Sequence, residues 1–168
     1  VEAMLASRDW IALDIANDNA LGQVVISGSV ADIDTALEMA KENGIRRAVK
    51  LPVSAPFHCR LMAPAADTMA EALAGVTLYP PSLPVWSNVT ARPVDDPAEL
   101  RENLITQVTG MVRWRETLEN MAADGITRFV EIGTGKVLAG LVKRTLPDAE
   151  AMSIEGPEDV DGFLNSIA

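Results

Sequence analysis

Thr127-Arg128-Phe129-Val130-Glu131-Ile132-Gly133-Thr134-Gly135-Lys136-Val137-Leu138-Ala139-Gly140-Leu141-Val142-Lys143-Arg144-Thr145 is the stretch that decides the fold class. Thr127 to Ile132 reads as a strand, Gly133-Thr134-Gly135 as a tight turn, and Val137 to Thr145 as a helix. Working outward, the same alternation recurs. Trp114 to Ala123 predicts a helix that Gly125 ends, and Pro97 to about Val108 a helix that Asp96 caps. Val85 to Val89 is a short strand after the stiff connector Pro80-Pro81-Ser82-Leu83-Pro84, and Leu61 to Leu73 is a helix with Ala65, Met69, Ala72 and Leu73 on its apolar stripe. Strands alternating with helices imply an α/β protein with a parallel sheet flanked by helices.

The N-terminal third has a different rhythm. Val1 to about Ser7 reads as the end of a helix with no initiator Met and no cap, so the chain is expected to begin inside a larger protein. Trp10 to Ile15 is a short apolar strand, Asn17 to Gly22 is turn chemistry, and Gln23 to Ser27 is a β-branched strand. Ser29 then caps a helix with Ile33, Leu37 and Ala40 on one face, which stops at Asn43-Gly44, and Ala48 to Val53 is a further strand. Helix, strand, strand, helix, strand is a ferredoxin-like unit lacking its first strand. The expected division is therefore residues 1–53 as a small subdomain and 54–168 as part of a larger one.

Composition narrows the function. A chain of 168 residues with 48% hydrophobic residues is an ordered globular protein, and a net charge of −10 argues against nucleic acid as the main partner. Six of those negative charges lie between Pro147 and Ala168, where no Lys or Arg occurs, so residues 1–146 carry only −4. That acidic tail is expected to be a solvated surface helix. Cys59 is the single cysteine, which excludes an intrachain disulfide and a cysteine-based zinc site and fits a reducing cytoplasm. No apolar run approaches the roughly 18–20 residues of a membrane span.

His58 is the only histidine, set in Leu51-Pro52-Val53-Ser54-Ala55-Pro56-Phe57-His58-Cys59-Arg60-Leu61-Met62. An apolar run leads into a turn and a helix follows, which puts an imidazole at a strand-to-helix junction that can face a cleft. Histidine suits proton transfer near neutral pH, although a lone histidine is more often structural. A histidine base also needs a partner for its other ring nitrogen, and no carboxylate is close in sequence. No Gly-x-Ser-x-Gly elbow occurs to supply a nucleophile. Cys59 adjoins His58, but sequence neighbours point apart, and a stray cysteine is commonly just buried. Gly133 to Lys136 either cradles an anion at a helix N-terminus or is simply a turn for close packing. It is no P-loop, and Leu138 stands where Gly-x-Gly-x-x-Gly needs a glycine. Arg46, Arg47 and Lys50, with Lys143 and Arg144, form basic groups that either serve structure or capture an acidic or phosphate-bearing partner.

Leu51 to Met62 taken with Glu131 to Arg144 resembles the malonyl-CoA:acyl carrier protein transacylase family. The resemblance runs from about Asp9 to Arg144 and takes in Gly22 to Gly28, Pro64-Ala65-Ala66 and Val85 to Val89. The family resemblance implies an α/β-hydrolase-like acyltransferase core, here partial, with an incomplete ferredoxin-like small subdomain. It implies ping-pong transfer of malonyl from malonyl-CoA, through a serine, to the phosphopantetheine thiol of acyl carrier protein, with no cofactor and no metal. It matches His58 to the catalytic histidine and Gln107 to the residue whose main-chain carbonyl orients the imidazole. Phe57 matches an aromatic position that disfavours methyl-branched acyl groups. Arg46, Arg47 and Lys143 match positions holding the phosphopantetheine arm or the acidic carrier, and Asn17 and Asn19 match positions lining the cleft. The serine elbow, the malonyl-pairing arginine and the oxyanion donors belong to the family's first half, which has no counterpart here. This chain alone is therefore expected to be inactive and to need an N-terminal half bearing the serine. The rival reading is a non-catalytic module that binds carrier protein or completes a partner. A thioester hydrolase of the α/β-hydrolase type fits less well, because such enzymes place their histidine late and lack the Gly-Lys-Val-Leu loop.

Overall fold

Ser29 shows how local chemistry sets the first elements. Its side chain accepts a hydrogen bond from the Asp32 backbone N–H, which starts helix α2 (Val30–Ala40) directly after strand β2 (Gln23–Gly28). β2 pairs antiparallel with β1 (Leu13–Ala20), and a short helix α1 (Glu2–Leu5) precedes them. Met4, Leu13 and Ala36 are buried together, with Leu5, Trp10, Ile26, Ile33, Met39 and Ile45 packed around them, so helix, hairpin and helix share one small core. The computed structural model describes residues 1–167, without the side chain of the last of these.

The turn in this hairpin is shorter than the sequence predicts. Asn17 to Ala20 belong to β1, and only Leu21-Gly22 turns, with Gly22 at φ 76°. The reason is a tertiary neighbour. The Asp18 N–H donates to the Val112 carbonyl (2.9 Å) and the Val112 N–H donates to the Ala16 carbonyl (2.8 Å), so residues that favour turns in isolation gain a partner on the strand's outer edge. Two register shifts, between Ile15 and Asn17 and between Asp18 and Ala20, absorb the misfit.

The strand expected over Ala48 to Val53 does not form. Val49, Leu51 and Val53 are exposed, and the Val53 N–H turns back on the Leu51 carbonyl (2.9 Å). A β-branched run becomes a strand only beside a partner, and among the described residues none lies alongside. Of the expected order helix, strand, strand, helix, strand, the last strand is therefore not formed among the described residues.

From His58 onward the helices fall close to where the sequence predicts them. A 3-10 turn (Arg60–Met62) leads into α3 (Ala63–Ala74), and Asp96 caps α4 (Pro97–Thr106) by accepting from the Glu99 N–H. α5 (Trp114–Ala123) buries Thr117 and Leu118, and α6 (Val137–Thr145) buries Ala139, Leu141 and Val142. β3 (Val85–Trp86) and β4 (Pro93–Val94) make a minimal antiparallel pair. Among the described residues the expected parallel sheet is confined to one pair: β5 (Arg128–Ile132) runs parallel to β6 (Glu150–Ile154), with α6 as the crossover. β6 lies in the acidic tail that was expected to be only a surface helix. The helix there is α7 (Pro157–Ile167). Ala151, Met152 and Ile154 make β6 half-buried against β5, which outweighs the acidic character around it.

Candidate active site

His58 is one of two non-glycine residues at positive φ among those described, at φ 56°. A side chain in the left-handed region costs roughly 1–2 kcal/mol, so the surroundings must hold it there. Three restraints do so. The His58 Nδ1 lies 2.8 Å from the main-chain carbonyl of Gln107, at the C-terminal end of α4. The next residue, Cys59, is fully buried. The Arg60 backbone N–H donates to the Asp14 carboxylate of β1 (2.9 Å).

The carbonyl contact decides the tautomer. A carbonyl oxygen only accepts, so Nδ1 carries the proton and, in the neutral ring, Nε2 carries the lone pair. This is the arrangement a histidine base needs, and here a carbonyl oxygen occupies the place of a carboxylate. Gln107 is itself tethered, because its side-chain Oε1 accepts from Asn88 Nδ2 (3.2 Å). Cys59 is no alternative nucleophile. Burial pushes its thiol up, and no cation offsets this enough to favour a thiolate.

Asp14 and Arg60 form the strongest polar contact near this turn. The guanidinium meets the carboxylate through Nε (3.0 Å) and Nη2 (2.5 Å), and this pairing holds the Asp14 carboxyl down to about 2. Asp14, Ile15, Arg60, Ala63, Thr109 and Met111 line an open cleft of about 440 Å³ beside the His58 turn.

The glycine loop is not an open anion cradle. Gly133 (φ 141°) and Gly135 (φ 94°) make the turn that only glycine takes freely. The first N–H groups of α6 are already occupied, because Glu131 accepts from Leu138 (3.1 Å) and Ala139 (2.8 Å). The Gly135 N–H reaches Glu155 (3.3 Å), which also pairs with Lys136 (3.0 Å). Of the two readings the sequence leaves open, the tight turn is observed without the close packing, because a Cβ at Gly133 or Gly135 would meet nothing within 4 Å.

The remaining candidates are spread along the molecule. Asn17 and Asn19 are half-buried in β1, and Phe57 is 53% exposed immediately before His58. Arg46 and Arg47 are exposed in the irregular stretch after α2, and Lys143 is exposed in the last turn of α6. These basic residues are not gathered into one cluster. Ile45, just before Arg46, packs against the small core of Met4, Leu13 and Ala36, whereas the Arg144 guanidinium bonds Gln23 at the turn end of the hairpin. Sequence reasoning missed Asp14, Asn88 and Glu131. Asp14 left a trace, as a lone acid within an otherwise apolar strand; Asn88 and Glu131 act through contacts that no local pattern announces. Among the described residues no three His, Cys, Asp or Glu side chains converge as a metal site, and no helix is long and apolar enough to cross a membrane.

The family model for the acyl transferase domain matches residues 1–159. The malonyl CoA-acyl carrier protein transacylase of Bacillus subtilis (strain 168) is 42% identical over 155 residues, covering 92% of this chain and 49% of that protein. The acyl-carrier-protein S-malonyltransferase of Burkholderia pseudomallei 1710b superposes with a TM-score of 0.92 at 42% identity, over 97% of this chain and 53% of that one. A malonyl-transacylase solved in complex with a type II PKS acyl-carrier protein superposes at 0.88 with 36% identity, over 92% of this chain and 50% of its own. The chain spans about half the length of the curated relatives it matches. With the family model covering nearly all of its residues, the chain belongs to the acyl transferase domain family.

Proposed function

We propose that this chain supplies the general base and acceptor-side surface of a malonyl transferase, moving malonyl from malonyl-CoA to the phosphopantetheine thiol of an acyl carrier protein. The observation that carries the reading is the 2.8 Å contact between His58 Nδ1 and the Gln107 carbonyl, which leaves Nε2 as the acceptor. In the first half-reaction Nε2 takes the proton of a serine hydroxyl as its oxygen attacks the thioester carbonyl. The tetrahedral intermediate expels the CoA thiolate, which leaves with that proton, and a malonyl-serine ester remains. In the second half-reaction Nε2 takes the proton of the phosphopantetheine thiol, the sulfur attacks the ester, and the proton returns to the departing serine. No cofactor takes part beyond the thioester donor and the thiol acceptor.

The serine is not in an elbow of this sequence, so the reading requires a segment that brings one. Support for such a segment comes from β5 and β6. They pair only with each other among the described residues, an unusual state for a parallel sheet, and Ile132 is 80% exposed at the end of β5. Arg46, Arg47 and Lys143 are assigned to the phosphopantetheine arm and the acidic carrier, Asn17 and Asn19 to the cleft wall, and Phe57 to the exclusion of methyl-branched acyl groups. The 1–53 and 54–168 division, with a ferredoxin-like lobe and a hydrolase-like core, belongs to the same reading.

The test is transfer of radiolabelled malonyl to carrier protein by the chain alone and by the chain completed with a serine-bearing half. The chain alone transfers nothing, and the completed enzyme loses roughly a thousandfold on His58→Ala. Near-normal transfer by that variant overturns the base assignment. The absence of a serine elbow favours one second reading, a carrier-binding piece without catalysis. Carrier binding with no transfer from the completed enzyme would select it.

A further inference from the structure

The strand β1 holds the chain a few residues beyond each partner of the His58–Gln107 contact, and by different atoms. On the histidine side, Asp14 accepts from the Arg60 backbone N–H (2.9 Å) and grips the Arg60 guanidinium through Nε (3.0 Å) and Nη2 (2.5 Å). That N–H belongs to the first residue of the 3-10 turn ahead of α3, a donor with no partner inside its own helix. Asp14 therefore caps a helix start 46 residues further along the chain, two residues beyond His58. On the carbonyl side, Ala16 and Asp18 hold Val112 by two backbone bonds (2.8 and 2.9 Å), five residues beyond Gln107. Asp14 is itself fixed, since it lies opposite Ser27 in the β1–β2 ladder. His58 meanwhile occupies a backbone region that a histidine does not hold without restraint.

We propose that Asp14 is a positioning residue for His58: through Arg60 it fastens the left-handed turn to β1, the strand that also holds the Gln107 segment, and so keeps the imidazole on its carbonyl. The proposal rests on the reading of His58 as the base, but it concerns the ring's orientation, which can be observed without turnover. The essential bond is the one from the Arg60 backbone N–H. The guanidinium fork reinforces it, and half of that ion pair is exposed.

Because His58 is the only histidine, the 168-residue chain gives a single set of imidazole signals in a ¹H–¹⁵N correlation spectrum, and these report the tautomer. In Asp14→Ala the wild-type Nδ1–H pattern gives way to a mixture of tautomers. In the enzyme completed with its serine-bearing half, kcat falls on the order of ten- to a hundredfold while KM for malonyl-CoA stays within about twofold, as expected when a reacting group is misplaced rather than removed. Arg60→Ala keeps the backbone bond and loses only the fork, so its kcat falls by no more than about threefold. Asp14→Asn, which keeps an acceptor oxygen, lies between them and serves as the folded comparison if the alanine variant melts early. A folded Asp14→Ala or Asp14→Asn chain with wild-type imidazole signals and wild-type kcat overturns the proposal, as does an Arg60→Ala loss equal to that of Asp14→Ala. If His58→Ala transfers normally while Asp14→Ala still scrambles the tautomer, the base reading fails and the positioning role stands.

Discussion

Two turns in this molecule deliver the chain into a helix, and they handle backbone strain in opposite ways. Before α6, positive φ is taken by Gly133 and Gly135, which pay no side-chain penalty, and the helix start is capped by Glu131 from the adjoining strand. Before α3, positive φ is taken by His58, and the helix start is capped by Asp14 from a strand 46 residues away. The first turn is unstrained, and its two positive-φ positions carry no side chain. The second is strained, held by distant partners, and presents an imidazole with a fixed tautomer. Strain is retained where a side chain is needed at that point, and glycine is used where only the bend is needed.

The sharpest way to break this contrast is at His58. His58→Gly and His58→Ala should both cost roughly a thousandfold in transfer by the completed enzyme. Denaturant melts should nevertheless find the glycine variant more stable than the alanine variant by about 1 kcal/mol, because only glycine relieves the left-handed conformation. Equal stabilities would mean that the turn is not strained. The reverse exchange, Gly133→Ala, should destabilise by about 2 kcal/mol, read as a lowered denaturation midpoint at unchanged slope. Glu131→Ala should cost about 1 kcal/mol, the ordinary loss of a helix cap. A negligible effect there would show that water replaces the carboxylate at the α6 N-terminus.

The smallest effect is the acid dependence of the other cap. Arg60 holds the folded-state carboxyl of Asp14 at about 2, below its ordinary value of 3.8. Its contribution is therefore fully present above about pH 5, where the unfolded carboxyl is almost wholly ionised, and it is lost as pH falls towards 2. The stability gap between wild type and Asp14→Asn should be constant from neutral pH down to about 5 and close below that. A gap that persists to pH 2 would mean that charge contributes nothing to the cap.

Much of the helical frame was legible because its signals are local. Ser29 and Asp96 act as caps where the sequence places them, and the α5 and α6 bounds follow apolar period and a terminating glycine or basic turn. Strands were less legible, because a strand is a relation between segments. Asn17 to Ala20 read as a turn and became strand when Val112 supplied a partner. Ala48 to Val53 read as strand and stayed irregular with none beside it. β6 went unseen in the acidic tail because its partner, β5, is about twenty residues earlier.

For the site, residue chemistry alone singled out one histidine, in a turn, with a lone cysteine beside it. It also showed that no carboxylate partner for the ring lies close in sequence, which left a distant residue or a backbone carbonyl, and the family resemblance pointed to Gln107. How that histidine is held depends on the packed chain. The left-handed backbone, the Nδ1 contact with a helix-end carbonyl, and the Asp14 cap join segments 46 to 49 residues apart. Residue type follows from local chemistry, whereas orientation follows from contacts that exist only once distant segments have packed.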